Sequence, residues 1–96
     1  KLDFDRIRAI KEQAKVPLVL HGGSGLMDED FRQAIRAGIS KINIFTDINV
    51  AAVRGARQHF VSDDKGLTEL IPAAVEAVER ETAKKMELFG SCGRAL

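Results

Sequence analysis

The sequence contains little cysteine, little proline and few aromatic residues. It has one cysteine, two prolines and five phenylalanines, and neither tryptophan nor tyrosine. A single cysteine, Cys92, cannot form a disulfide within the chain, so cysteine usage gives no sign of an oxidising compartment. No apolar run approaches the roughly 20 residues that a membrane-spanning helix needs. We therefore expect a soluble, cytoplasmic protein without a membrane anchor.

Neither sign of charge predominates in the chain. The 15 basic and 14 acidic side chains leave a net charge of +1 over 96 residues, and they are spread along the sequence. Binding to nucleic acid or to an anionic membrane surface usually needs a basic block, so neither partner is expected. Residues 1–8 lack the apolar centre of a signal peptide, and position 1 is not methionine. We expect the chain to be part of a longer gene product.

The first half of the chain alternates helical and strand patterns. Apolar side chains recur every three or four residues from Asp3 to Ala14, which predicts a helix capped by Asp3. Leu18–Leu20 follows as a short strand. A second helix is predicted to begin near Asp28 and to end at a glycine, Gly38, with a second strand over residues 41–45.

The second half of the chain predicts two further helices. Thr46 and Asp47 offer capping oxygens for the first, which carries the apolar residues Val50, Val53, Ala56 and Phe60. After a polar break at 62–66, the second begins near Thr68, with an apolar face formed by Ile71, Val75, Val78, Thr82 and Met86. The glycine-rich residues 89–96 are predicted to be irregular.

Two strands joined by one helix predict parallel, neighbouring strands and an α/β fold. Parallel sheets are covered on both faces and usually contain more than two strands. An eightfold barrel takes about 250 residues, so this chain makes up roughly a quarter to two fifths of one. We therefore predict that residues 1–96 are a single segment of a (β/α)8 TIM barrel. The remainder of a longer chain, or copies of this one, would complete the barrel.

The stretch Val16–Gly25 is the strongest candidate for a functional site. Its apolar strand ends at His21, and the glycines that follow allow a sharp turn whose N–H groups can approach an anion. If the two strands are the last pair of a barrel, the loops that follow them are the ones that commonly bind phosphate. Three groups of residues would then face one phosphate: Gly22, Gly23 and Ser24 in the first loop, the amide of Asn43, and backbone groups around Phe45 and Thr46. The alternative is that these residues only form turns and caps, and spacing alone leaves the two equally weighted.

The other polar candidates have simpler interpretations. A lone histidine makes no metal site, so the residues by themselves favour a structural or hydrogen-bonding role for His21 over metal ligation by about two to one. His59 is predicted to be a solvated surface residue, and the acidic pair Asp63 and Asp64 contributes solubility rather than a carboxylate dyad. Cys92 has no evident activating base, so no reactive role is expected for it.

Two motifs resemble a known family. Leu18–Gly25, read as LVLHGGSG, and Lys41–Asp47, read as KINIFTD, are similar to the class II, metal-dependent ketose-bisphosphate aldolases that act on fructose and tagatose bisphosphates. The likeness covers nearly the whole chain and corresponds to the carboxyl-terminal third of the family. It implies that residues 1–96 are the carboxyl-terminal part of the (β/α)8 TIM barrel, with its last two βα units and terminal helices. It implies that His21 is a ligand of the catalytic zinc, which overturns the structural interpretation above. Another divalent ion, and a monovalent cation in addition, are compatible with the resemblance.

The resemblance also implies substrate contacts. Gly22, Gly23 and Ser24 would bind the phosphate of dihydroxyacetone phosphate, Asn43 would contact the same substrate, and the backbone of Ile44, Phe45 and Thr46 would add phosphate contacts. Relatives often carry a small or acidic residue in place of Phe45, so only a backbone role is carried over there.

The implied reaction is the reversible cleavage of a ketose 1,6-bisphosphate to dihydroxyacetone phosphate and glyceraldehyde 3-phosphate, with the metal as Lewis acid. The family's other two zinc ligands and its acid/base aspartate match nothing in this chain, so the 96 residues alone are expected to be inactive, and the complete enzyme is expected to be a homo-oligomer. Two alternatives from other classes remain open: a non-catalytic phosphate-binding module, and an oligomerisation module that pairs exposed strand edges.

Overall fold

A computed structural model describes residues 2–23, 25–60 and 66–94 of the chain. The elements follow the predicted order of helix, strand, helix, strand, helix and helix. They are α1 (Phe4–Ala14), β1 (Leu18–Leu20), α2 (Asp28–Arg36), β2 (Ile39–Ile42), α3 (Thr46–His59) and α4 (Leu67–Leu88). The chain divides into two compact units, which are Lys1–Ile44 with Leu88–Leu96, and Phe45–Glu87. Among the described residues, no helix is long and apolar enough to cross a bilayer.

The first unit is built on a two-stranded parallel sheet, as predicted. Leu18 lies opposite Ile39 and Leu20 opposite Ile42, with one irregularity in register directly after Leu18. Helix α2 contributes the fully buried Phe31 to the core, and the ring of Phe31 lies 5.2 Å from that of Phe89 between centroids. A small α/β core thus supports the carboxyl ends of both strands.

Two hydrogen bonds and one glycine mark the ends of the helices in the first unit. Asp3 caps α1, because its carboxylate accepts a hydrogen bond of 2.9 Å from the backbone N–H of Arg6. At the start of α2, the carboxylate of Asp30 accepts from the backbone N–H of Met27 at 3.0 Å. The same helix is followed by Gly38, whose φ of 116° favours glycine over other residues. The predicted cap of α1 and the predicted glycine stop of α2 are confirmed.

The predicted bounds of the second strand were wrong. The strand covers Ile39–Ile42 rather than residues 41–45. It starts early because the turn at Gly38 delivers Ile39 directly opposite Leu18, where its side chain is buried. It ends early because β1 stops at Leu20, so the backbone beyond Asn43 has no partner strand with which to continue the ladder.

The second unit packs two helices through their smallest residues. Gly55 of α3 and Ala73 and Ala77 of α4 are buried, and a β-carbon at Gly55 would lie 2.5 Å from that of Ala77. The helices approach most closely where side chains are small, and large residues of the predicted apolar faces lie away from this contact. Those that are exposed include Val50, Val53, Phe60, Ile71, Val75 and Met86.

The predicted cap of α3 was also wrong. Phe45 occupies the cap position without a side-chain hydrogen bond, and α3 begins at Thr46. Asp47 instead forms an ion pair with Lys85 of α4, with 2.7 Å between Oδ2 and Nζ. The first turn of α3 is thereby tied to α4. Of the predicted polar break at 62–66, residues 62–65 lie outside the described part of the chain.

Candidate functional site

The carboxyl ends of β1 and β2 bring two polar side chains together. His21 follows β1 directly and is exposed, and Asn43 follows β2 directly and is half-buried. The backbone N–H of Asn43 donates to the carbonyl of Leu20 at 3.0 Å, which extends the parallel pairing by one residue. The side-chain Nδ2 of Asn43 then lies 3.0 Å from Nδ1 of His21. The predicted meeting of the two strand ends is confirmed for these side chains.

Lys41 joins the same cluster, although the sequence reasoning quoted it only as part of a motif. Its ammonium group donates a hydrogen bond to Oδ1 of Asn43. Lys41 and Asn43 are two residues apart along extended backbone, so their side chains point to the same side. That spacing of two was the signal that could have identified Lys41. The result is a continuous chain of polar contacts from Lys41 through Asn43 to His21.

The glycine loop after His21 makes a sharp turn over the core. Gly22 has φ of 69° and Gly25 has φ of 81°, both in the left-handed region. Gly23 is buried between them, and its carbonyl accepts from the backbone N–H of Leu26 at 3.2 Å. Ser24, the fourth predicted residue of this loop, lies outside the described residues. The loop therefore has the conformation that needs glycine, while phosphate binding by it stays a prediction.

The second predicted loop divides between the two units. Ile44 is half-buried at the end of the first unit. Phe45 and Thr46 belong to the second, where the carbonyl of Phe45 accepts from the backbone N–H of Asn49 at 3.1 Å. The side chain of Phe45 is 77% exposed. The Phe45 ring therefore contributes little to the packing of its own unit.

Lys85, in the second unit, has a perturbed pKa. Partial burial lowers the pKa of Lys85, but the hydrogen bond and negative charge of Asp47, with the charge of Glu81, together raise it above the ordinary value of 10.5. The side chain is only 14% exposed, and its Nζ lies 3.6 Å from Oε1 of Glu81. Lys85 therefore stays protonated and serves as the shared cation of two carboxylates.

The remaining candidates behave as surface residues. His59 and Cys92 are exposed, as predicted for His59, and Cys92 is a free thiol. Asp63 and Asp64 lie outside the described residues.

Of the described residues, His21 is the candidate for a metal ligand. No three His, Cys, Asp or Glu side chains gather within the described ranges in a way that could hold a metal ion. His21 nevertheless presents an exposed imidazole at the end of a strand, next to a loop rich in glycine. Catalytic zinc normally has three protein ligands. An exposed imidazole such as that of His21 could supply one such ligand, and the described residues gather no second and third ligand beside it.

The comparisons with known proteins agree with this arrangement. Residues 1–94 match the family model described as fructose-bisphosphate aldolase class-II. The chain is 37% identical over 97 residues to a sulfofructosephosphate aldolase of Alkalicoccus urumqiensis, an alignment that covers 99% of this chain and 34% of that protein. It is also 37% identical over 95 residues to YdjI of Escherichia coli K12, covering 99% of this chain and 33% of YdjI.

Solved structures show the same likeness. The crystal structure of the YdjI aldolase from Escherichia coli K12 matches with a TM-score of 0.91 and 36% identity, over 100% of this chain and 36% of that one. A putative fructose-1,6-bisphosphate aldolase from Coccidioides immitis matches with a TM-score of 0.84 and 28% identity, over 98% of this chain and 33% of that one. The chain thus spans about a third of the length of these relatives. It belongs to the class II fructose-bisphosphate aldolase family.

Proposed function

We propose that this chain is the carboxyl-terminal segment of a metal-dependent aldolase, in which it supplies one metal ligand and part of the site for a sugar phosphate. The observation that supports this most directly is the 3.0 Å contact between His21 and Asn43 at the ends of two parallel strands. This contact joins the residue that we propose to bind the metal to the residue that we propose to bind the substrate.

The segment is proposed to contribute the last two βα units of a (β/α)8 barrel. Parallel sheets are covered on both faces, yet here the sheet has two strands and Val19 of β1 is 45% exposed. A longer chain of the length of the relatives would add the missing strands. The unpaired outer edges of β1 and β2 are where we expect those strands to pair.

His21 is proposed to hold the divalent ion, zinc in the first instance, with two ligands from outside the segment. When bound, the ion would polarise the ketone of the substrate as a Lewis acid. Because three protein ligands are usual for catalytic zinc, His21 alone is not expected to retain it. The isolated 96 residues are accordingly proposed to be inactive.

The glycine loop is proposed to bind the phosphate of dihydroxyacetone phosphate. Gly22 and Gly23 present backbone N–H groups on a tight turn, and such turns form anion-binding concavities. Ser24 would add a hydroxyl. Asn43 would hydrogen-bond the same substrate through its amide, and the backbone of Ile44, Phe45 and Thr46 would add further contacts, as the resemblance implies.

The proposed reaction is the reversible cleavage of one carbon–carbon bond of a ketose 1,6-bisphosphate. The products are dihydroxyacetone phosphate and glyceraldehyde 3-phosphate. The proposed substrate has either the fructose or the tagatose configuration. The relatives are named for fructose 1,6-bisphosphate and for sulfofructosephosphate. Both names denote a phosphorylated ketose, which supports a phosphorylated ketose as the substrate of this protein as well. We further propose a cytoplasmic homo-oligomer without nucleic-acid or membrane partners.

The test is a His21→Ala substitution in the complete protein, with His59→Ala as its matched control. Loss of one ligand from a three-ligand site should remove nearly all bound zinc and all measurable cleavage. The exposed His59 should be replaceable without effect on either quantity. Metal content by elemental analysis and cleavage by a coupled assay of the triose phosphates are the measurements. Retention of zinc and activity by His21→Ala would refute the assignment, and binding of phosphate ester without turnover by the wild type would favour a non-catalytic module.

A further inference from the structure

The glycine loop after His21 lies on the ring of Phe31. A β-carbon at Gly23 would lie 2.9 Å from Cε1 and 3.2 Å from Cζ of that ring, so the edge of the ring meets the loop backbone directly. Phe31 is fully buried, and Gly23 is buried as well. The conformation of the loop therefore depends on where this ring is held.

A second aromatic ring, that of Phe89, packs against Phe31. The two ring centroids are 5.2 Å apart and the ring planes are inclined at 55°, a separation and tilt typical of favourable aromatic pairs. Phe89 is half-buried and directly follows α4, and Gly90 then turns the chain with φ of 71°. The backbone N–H of Arg94 donates to the carbonyl of Ser91 at 3.3 Å, which closes the next turn. The chain after α4 thus returns to the core of the first unit at Phe89.

The surroundings of Phe89 show what its removal would do. Phe89 lines a cavity of about 260 Å³ beside β2, together with Ile35 and Ile39. Truncation of a core side chain leaves a space into which its neighbours relax in part. Removal of the Phe89 ring would extend the existing cavity as far as Phe31, and Phe31 could then move away from Gly23. The loop would lose the surface on which it lies.

We propose that Phe89 is a positioning residue of the phosphate site, which holds Phe31 against Gly23 and so keeps the N–H groups of Gly22 and Gly23 directed at one phosphate. The inference rests on the proposed function, in which these N–H groups bind the phosphate of dihydroxyacetone phosphate. An anion-binding turn needs its successive N–H groups to converge. A loop that is already ordered also avoids the entropy cost of ordering when the ligand binds. Loss of the Phe89 ring should therefore weaken phosphate binding, although Phe89 donates nothing to the phosphate itself.

The first experiment measures the affinity of the complete, zinc-loaded protein for dihydroxyacetone phosphate by calorimetry. Phe89→Ala should bind it about fivefold more weakly, which corresponds to one net hydrogen bond or about 1 kcal/mol. Zinc content should stay at the wild-type level, because the proposed ligand His21 precedes the loop. An affinity equal to that of the wild type would overturn the proposal. A parallel loss of zinc would also overturn it, because it would show a general loss of structure rather than positioning of the loop.

Two further variants serve as controls for the first experiment. Phe89→Leu fills part of the space without a ring, so its affinity should lie between those of Phe89→Ala and the wild type. This milder change decides the question if Phe89→Ala does not fold, and an unchanged affinity would then refute the inference. Phe60→Ala makes the same substitution at a ring that is 53% exposed in the second unit, and it should leave the affinity unchanged.

The second experiment is a double-mutant cycle that tests whether Phe89 acts through Phe31. Substitutions at two residues in contact have effects that do not add. The loss of affinity caused by Phe89→Ala should be smaller in a Phe31→Leu background, because the ring that transmits the effect to the loop is absent. The same loss in both backgrounds would contradict the proposed role of Phe89. The proposed function fails separately, if the wild type does not bind dihydroxyacetone phosphate or if His21→Ala retains zinc.

Discussion

Gly23→Ala is the substitution for which the structure gives the clearest expectation, because the glycine loop lies directly on the core at this residue. A β-carbon at Gly23 would lie 2.9 Å from Cε1 and 3.2 Å from Cζ of Phe31, and 3.6 Å from Cδ1 of Ile44. The first distance is shorter than a normal contact between carbon atoms, which is optimal at about 3.5–4.0 Å. The ring of Phe31 is 0% exposed and packs against Phe89, so it cannot move outward without losing that contact.

The expected magnitude follows from two opposing effects. Overpacking of this kind costs about 1–3 kcal/mol. Replacement of glycine by alanine restricts the unfolded chain, which restores about 0.4–1 kcal/mol at a position whose φ is not positive. Taking the midpoints of the two ranges, the free energy of unfolding of Gly23→Ala should fall by about 1.3 kcal/mol. The affinity for phosphate that we propose for the loop should also fall, because the N–H groups of Gly22 and Gly23 would move with the displaced backbone.

The assay is denaturant unfolding of the complete metal-free protein, followed by two spectroscopic probes. A double-mutant cycle with Phe31→Leu identifies the cause, since leucine lacks the ring atoms that the new methyl group meets. The cost of Gly23→Ala should be smaller in the Phe31→Leu background than in the wild type. A variant as stable as the wild type, or a cost that is the same in both backgrounds, would refute the packing argument.

Two predictions concern the second unit, both measured by the free energy of unfolding of the complete protein. Gly55→Ala would place a methyl group 2.5 Å from Cβ of Ala77 and 2.7 Å from the carbonyl oxygen of Ala73. We therefore expect the free energy of unfolding to fall by about 1–3 kcal/mol, despite the better helix propensity of alanine. Unchanged stability would show that the two helices are not in close contact there. Lys85→Met leaves Asp47 and Glu81 without their shared cation and should cost about 1–3 kcal/mol near neutral pH. Because the pKa of Lys85 is raised on folding, its contribution is complete below about 10.5 and disappears as the pH rises through the raised pKa, so the difference from the wild type should shrink in strongly alkaline solution. A difference independent of pH would contradict the ion-pair explanation.

The first strand and first helix were predictable because their signals are local. The cap of α1 needs only the Asp3 side chain and a backbone N–H group three residues later. Leu18–Leu20 is a short apolar run bounded by Pro17 and His21, and the structure has the same bounds. The second strand was shifted because its register depends on its partner. Only the pairing of Ile39 with Leu18, which the amino-acid pattern does not contain, shows where it starts.

The contact between α3 and α4 was not predicted, for a different physical reason. Periodic large apolar residues show that a helix has an apolar face, but they do not show which neighbour covers it. In the second unit the two helices approach through Gly55, Ala73 and Ala77, where small side chains permit close contact. Residues such as Val53 and Val75 are exposed in this segment. Relatives three times as long contain the additional chain that could cover such faces, so the pattern of large residues reflects the complete protein that we propose.

The candidate site was predictable as far as backbone geometry determines it. Parallel strands end at the same edge of a sheet, so residues directly after two neighbouring strands must be close, and His21 and Asn43 are. Lys41 was quoted only as part of a motif, although its spacing of two residues from Asn43 places both side chains on the same side of the chain and could have identified it. The strand ends therefore fix which polar residues meet, while the conformations of their side chains decide which of them are in contact.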